Sequence, residues 1–166
     1  MVKRILFLLV AVGLSSFSYG QARIIMSGTI GIATNGGISS DPVYLVIDNP
    51  DDNAITEAGA PGKPAIHSES EFNIVKWNIG AGTGVYNVPF TSSTGGLPEY
   101  VAPSLTISTS GDANGSIEFA TYPTDEDNSV FPSDVDHLVH LPGLLDESNS
   151  HATMDRFWII DPSSFR

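Results

Sequence analysis

Hydrophobic residues recur at every second position in short runs along this chain, which is the period of a β-strand. In the clearest run, Val85 to Phe90, alternation places Tyr86, Val88 and Phe90 on one face. Turn-forming glycine, proline, asparagine and aspartate separate the runs, and helical periodicity is scarce. The pattern predicts strands within residues 23–34, 43–47, 65–77, 85–90, 104–110, 116–122 and 156–160.

Short strands separated by turn signals are typical of an all-β fold, and we expect a single antiparallel β-sandwich domain. The continuous apolar run VYLVI (43–47) predicts a strand covered on both faces. The runs 104–110 and 116–122 flank Gly111–Gly115 and predict a hairpin. One short helical turn is expected near residues 134–141.

Residues 1–20 have the pattern of a cleavable signal peptide. Lys3 and Arg4 precede the apolar run ILFLLVAVGL (5–14), and small residues at 18 and 20 precede a cleavage site before Gln21. We therefore expect an exported protein whose mature chain, 21–166, is one sandwich domain. No later stretch is apolar enough to predict a membrane helix, so membrane insertion of the mature chain is not expected.

The charge of the chain excludes several function classes. Removing Lys3 and Arg4 leaves 5 of the 7 basic residues against 19 acidic ones, a net charge of −14. Five scattered cations cannot form the basic surface that nucleic acid or an anionic membrane requires, so no nucleic-acid partner is expected. The chain has no cysteine, which excludes disulfides and a lipid-modified cysteine.

The glycine-rich segment Gly80–Gly84 raises the question of phosphate binding. A phosphate-binding loop needs a lysine and a serine or threonine after its last glycine, followed by a helix. Here VYNVPF (85–90) follows, alternates as a strand and contains Pro89. We interpret the glycines as supplying positive φ angles for a five-residue hairpin turn.

Several segments have residue types that bind metal ions. The acidic stretches 48–53, 110–121 and 124–129 could give weak calcium sites on loops, although the same residues are good turn formers. His137 and His140 have a spacing compatible with zinc on a short helix, with further ligands at Asp134, Asp136 and His151. Surface histidines are the simpler interpretation. We expect no cofactor and leave calcium as a weak alternative.

Catalysis has no sequence signature. There is no GxSxG motif, and the carboxylate pairs Glu69 with Glu71 and Glu118 with Asp125 are what an acidic chain offers by composition. Aromatic residues could instead form a sugar-stacking platform if exposed, although most lie in strongly apolar strands that favour the core. These aromatics are Trp77, Tyr86, Phe90, Tyr100, Phe157 and Trp158.

Four segments resemble an N-terminal region of long secreted and cell-surface proteins of Bacteroidetes, especially flavobacteria, of the type IX secretion and gliding-associated kind. They are VYLVIDNPDDNAIT (43–56), SESEFNIVKWNIGAGTGVYNVPF (68–90), GSIEFATY (115–122) and MDRFWIIDP (154–162). The resemblance implies an extracellular or outer-membrane location and a β-rich, non-catalytic module. In the long relatives further strands follow, so this chain is expected to be either truncated at its C-terminus, which we favour and which would leave an open sheet edge, or a compact stand-alone version.

These observations lead to three hypotheses. The first is a non-catalytic structural or adhesion module of a cell surface, whose partners are other domains of a longer surface protein. The second is an extracellular glycan-binding domain with an exposed aromatic platform. The third and weakest is a secreted hydrolase.

Overall fold

The computed structural model describes residues 22–26, 30–31, 37–57, 65–92, 99–136 and 154–163. The regular secondary structure in these residues consists of β-strands alone, so this part of the chain is all-β. The strands are β1 (Ile24–Met26), β2 (Ile30–Gly31), β3 (Val43–Ile47), β4 (Ile55–Glu57), β5 (Ile66–His67), β6 (Asn73–Asn78), β7 (Gly84–Asn87), β8 (Phe90–Ser92), β9 (Glu99–Tyr100), β10 (Ser104–Ile107), β11 (Ser116–Pro123) and β12 (Arg156–Ser163).

The first six strands form two stacked layers of chain, which we call rung 1 (β1, β2 and β3) and rung 2 (β4, β5 and β6). Each strand of rung 1 pairs in parallel with its counterpart in rung 2: β1 with β4, β2 with β5 and β3 with β6. Strand β8 continues the stack by pairing in parallel with β5. Parallel stacking of successive rungs is the pairing pattern of a β-solenoid, in which each rung contacts only its neighbours.

Later strands reverse direction and close the stack at one end. Strand β9 pairs antiparallel with β8, β10 with β7, and β11 with β6. Strand β12 then pairs with β11 along its whole length, from Arg156 opposite Pro123 to Ser163 opposite Ser116. The two larger sheets therefore have the orders β2-β5-β8-β9 and β3-β6-β11-β12.

The strand pairing corrects the expectation of a uniformly antiparallel sheet. Four of the pairings between described strands are parallel and four are antiparallel. The hairpin expected across Gly111–Gly115 does not form, because β10 pairs with β7 whereas β11 pairs with β6 and β12. The Gly80–Gly84 segment likewise connects β6 and β7, which lie in different sheets. The runs 65–77 and 85–90, each expected to lie in one strand, are each divided, into β5 and β6 and into β7 and β8. The pairing partners are distant in sequence.

Strand β3 has the predicted bounds, yet it is not covered on both faces. It lies at an edge of its sheet, with Tyr44 and Val46 exposed and Val43, Leu45 and Ile47 turned to the core. Its continuous apolar run thus combines an inward face with an exposed apolar face.

Side chains from all four sheets meet in one hydrophobic cluster. Tyr86, Val88 and Phe90 are fully buried in it, as their alternation predicts. Trp77 lies at the centre: its ring packs edge-on against Tyr86 at 5.1 Å, and its indole N–H donates to the carbonyl of Asn49 at 2.7 Å. The core thereby fixes the loop that follows β3.

The signal peptide expected at 1–20 lies outside the described residues, as do residues 137–141 of the expected helical turn. In the part of the chain that the structure describes, no helix is long and apolar enough to cross a membrane.

Candidate functional site

A buried arginine lies where the two four-stranded sheets approach each other. The side chain of Arg156, at the start of β12, is only 9% exposed. Its guanidinium donates to the Thr121 hydroxyl at 3.1 Å and to the Ser92 hydroxyl at 2.7 Å, and it lies 3.6 Å from a carboxylate oxygen of Glu69. We call these residues, together with His67, the Arg156 cluster.

His67 extends the cluster towards the surface. Its Nε2 lies 3.2 Å from the same oxygen of Glu69, yet this buried nitrogen makes no hydrogen bond in the described structure. The two findings agree if the histidine approaches the carboxylate off the direction that a hydrogen bond requires. Glu69 therefore lies between a guanidinium and an imidazole.

The chemistry of the Arg156 cluster favours a structural role. A histidine beside a carboxylate is the pairing used in acid–base catalysis, but here the carboxylate neutralises a buried guanidinium. Leaving that guanidinium without its partner would leave a buried charge uncompensated. Because Ser92 belongs to one sheet and Thr121 and Arg156 to the other, the cluster joins the two sheets.

A second polar region surrounds the glycine-rich loop, where an open depression of about 490 Å³ lies between residues 50–52, 79–83 and Ala113. A carboxylate oxygen of Asp52 accepts the backbone N–H of Val85 at 3.2 Å, and the Tyr86 hydroxyl donates to the carbonyl of Pro50 at 2.9 Å. Burial is the main cause that raises the pKa of Tyr86, so its hydroxyl stays protonated and donating.

The glycines of this loop serve its backbone geometry. Gly80 and Gly84 have φ angles of 55° and 148°, which favour glycine, and β7 rather than a helix begins at Gly84. A helix N-terminus facing a phosphate is thus not formed here.

The expected calcium stretch 124–129 folds around its own carboxylate. Asp125 accepts the backbone N–H groups of Asp127 at 3.2 Å and of Ser129 at 2.7 Å, and it also accepts the Ser129 hydroxyl. The bond to the Ser129 hydroxyl is the largest cause that lowers the pKa of Asp125. Its oxygens define the shape of the turn.

The other expected metal ligands are also placed. In the stretch 48–53, Asn49 accepts the backbone N–H of Asp51 at 3.0 Å, and Asp112 accepts that of Asn114 at 3.1 Å. Asp134 and Asp136 are exposed, whereas His137, His140 and His151 lie outside the described residues. Within the described ranges, no three histidine or acidic side chains come together as a metal-ligand group.

The proposed carboxylate pairs have separate partners. Glu69 belongs to the Arg156 cluster, whereas Glu71 accepts the backbone N–H of Ser133 at 2.9 Å. Glu118 accepts a hydrogen bond from the Lys76 ammonium at 2.7 Å, and this bond is the main cause that raises the pKa of Lys76. Each carboxylate is therefore bonded within its own part of the fold.

The aromatic candidates divide between core and surface. Trp77, Tyr86 and Phe90 are fully buried and cannot stack on a sugar. Tyr100 on β9 is 41% exposed, and the half-buried Trp158 donates its indole N–H to the carbonyl of Val101 at 2.8 Å. Of these candidates, Tyr100 is therefore the one exposed enough to stack on a sugar, with Trp158 bonded to the residue that follows it.

Sequence reasoning missed the Arg156 cluster. Arg156 was grouped with the scattered surface cations, and His67 was not considered as a site residue. The sequence contained one signal for this cluster. Arg156 is the first residue of an alternating apolar strand, so its long polar side chain lies at the start of a segment that packs on the core. The partners of Arg156 could not be read from that signal, because Glu69, Ser92 and Thr121 come from three distant segments.

Comparisons of the chain with known protein families, with curated proteins and with solved structures gave no match.

Proposed function

We propose that the protein is an exported, non-catalytic structural or adhesion module of a cell surface. Its partners would be other domains of a longer surface protein, as the resemblance to secreted Bacteroidetes proteins implies. The observation that supports this proposal best is the parallel stacking of rung 1 on rung 2. Stacked rungs present extended outer surfaces suited to binding other macromolecules.

The use of the polar side chains also supports a structural role. Asp52, Asp112 and Asp125 accept backbone N–H groups in turns, and Glu69 neutralises a buried guanidinium. Side chains employed in this way stabilise loops and sheet contacts. We further propose that the two four-stranded sheets pack as the layers of a sandwich, which their shared hydrophobic cluster favours.

A glycan-binding domain is the second candidate, supported by the exposure of Tyr100 next to Val101, whose carbonyl Trp158 contacts. Aromatic rings that are partly exposed can stack on sugar rings. Here Tyr100 would be the stacking residue and Trp158 would hold the adjacent backbone.

One experiment tests both candidates. Cells that produce the chain are compared with cells that lack its gene for attachment to bare and polysaccharide-coated surfaces. A structural or adhesion module predicts weaker attachment without the gene, and restored attachment with either Tyr100→Ala or the similarly exposed Val85→Ala. A glycan-binding domain predicts that Tyr100→Ala alone fails to restore attachment to the coated surface.

Gel electrophoresis of the purified chain in the presence of polysaccharides tests glycan binding directly. Retardation in polysaccharide gels that Tyr100→Ala removes and Val85→Ala preserves would favour glycan binding. Equal attachment with and without the gene would contradict the adhesion role.

A further inference from the structure

The two ends of the strand stack differ. At one end, the antiparallel strands β9, β10 and β11 cover β8, β7 and β6, and only β4 of rung 2 has no described strand on its other side. At the other end, rung 1 pairs with rung 2 on one side, and no described strand pairs with its other side. Among the described strands, rung 1 is therefore the last layer of the stack, and we call its three unpaired strand edges the open edge.

Hydrogen bonding shows which residues have their backbone groups on the open edge. The N–H groups of Ile24, Ile30 and Val43 donate to the carbonyls of Ala54, Ala65 and Phe72, so these residues face rung 2. Since successive residues of a strand direct their backbone groups to opposite sides, the residues that follow them face outward. They are Ile25, Gly31, Tyr44 and, two residues further, Val46.

The side chains at these positions are exposed. Ile25 is 69% exposed and Val46 51% exposed. A side-chain atom built at Gly31 would meet nothing within 4 Å. These positions are thus open to solvent in the described structure, as an incoming strand requires.

The open edge also lacks the features that normally keep edge strands apart. Free edges are usually protected by charged residues, proline or a bulge. The strands β1, β2 and β3 contain no charged residue and no proline, although the chain has 7 basic and 19 acidic residues. By contrast, β12, the edge strand at the far side of its sheet, contains Arg156, Asp161 and Pro162.

We propose that the open edge pairs with the open edge of a second copy of this chain, which gives a closed two-fold dimer. Between two chains that each have a net charge of −12, an uncharged surface is where approach meets least repulsion. A two-fold axis brings the same edge of both copies together and continues the existing ladders across the interface. Two-fold pairing uses the open edge of both copies, so the assembly ends at two. This inference does not rest on the proposed function.

The oligomeric state of the full chain, expressed with residues 1–20 so that export can proceed, tests the proposal. Sedimentation velocity from about 1 μM to about 100 μM should show a dimer for the natural sequence. Val46→Lys and, independently, Ile25→Lys should each raise the dimer dissociation constant at least ~10-fold, because two-fold symmetry places each added charge at the interface twice.

Val85→Lys is the matched control, since it adds the same charge at a similarly exposed valine, on β7 away from rung 1. It should leave the dimer intact. A melting curve of each variant identifies any that fails to fold. A monomeric natural chain would overturn the proposal, because the open edge of rung 1 would then not bind a second copy. Dimers that persist in both lysine variants, or open-ended assemblies, would also overturn it.

Discussion

At the scale of single residues, Gly82 shows how closely the loop between β6 and β7 packs. A Cβ atom at this position would lie 2.5 Å from the Tyr86 hydroxyl oxygen, 2.8 Å from the carbonyl oxygen of Ile79 and 3.1 Å from that of Pro50. Two of these atoms belong to the backbone and cannot move without shifting the loop. The sequence predicted a geometric role for these glycines through their φ angles, but only the contacts identify the close packing at Gly82.

Gly82→Ala should therefore destabilise the protein by about 1–3 kcal/mol, the usual cost of forcing an extra methyl group into a packed site. Urea unfolding monitored by tryptophan fluorescence would measure the loss. Thr83→Ala in the same loop is the control, because Thr83 is exposed and its truncation should change stability by less than about 0.5 kcal/mol. Equal stability of Gly82→Ala and the natural chain would show that the loop adapts without cost.

At the scale of elements, the sequence predicted where strands lie better than which strands pair. The apolar run of β3 has the bounds of its strand. The alternation from Val85 to Phe90 identifies the buried side chains correctly, because periodicity reports which faces are buried, but the run is divided between β7 and β8. The parallel partners Ile24 with Ile55, Ile30 with Ile66, and Val43 with Asn73 lie at unequal separations along the chain. Connections of unequal length erase the repeat that a regular solenoid shows in its sequence, so the stacking could not be predicted.

The contact between β11 and the loop after it gives a pH prediction. Tyr122 of β11 donates its hydroxyl to the carbonyl of Val130 at 3.0 Å, and Val130 has a φ of 65°, which is rare for a β-branched residue. Burial, with smaller contributions from the carboxylates of Glu71 and Asp134, raises the pKa of Tyr122 to about 12. An unfolded tyrosine ionises near pH 10. The contribution of Tyr122 to stability is thus complete below about pH 10 and lost as the pH rises to about 12.

Tyr122→Phe should make the alkaline fall in melting temperature shallower than in the natural chain. At neutral pH it should cost about 1 kcal/mol, because the hydrogen bond to Val130 is lost. Tyr44→Phe, which removes the same hydroxyl group from an exposed tyrosine, is the matched control. If Tyr122→Phe and Tyr44→Phe give the same profile between about pH 9 and pH 12, Tyr122 does not titrate as its burial requires.

At the scale of the whole molecule, the excess of acidic residues makes stability depend on salt. With 19 acidic and 7 basic residues, like charges repel across the folded chain, and added salt screens this repulsion. Calcium could add a specific effect only through carboxylates free to bind it. Yet Asp52, Asp112 and Asp125, which the sequence made candidates, already accept backbone N–H groups. Oxygens already engaged in the turns are less available to calcium, so we expect screening to dominate.

We therefore expect sodium chloride at about 150 mM and calcium chloride at about 50 mM, which have the same ionic strength, to raise the melting temperature equally. A ligand that binds only the folded state would add stabilisation beyond screening. A larger rise with calcium that a chelator reverses would show a specific site. Asp125→Asn and Asp52→Asn would then locate it: loss of the extra rise in one variant would assign calcium to that loop, and retention in both would place it among the remaining acidic residues. Equal rises in the two salts would mean that the acidic loops of this protein build turns and add charge without binding the ion.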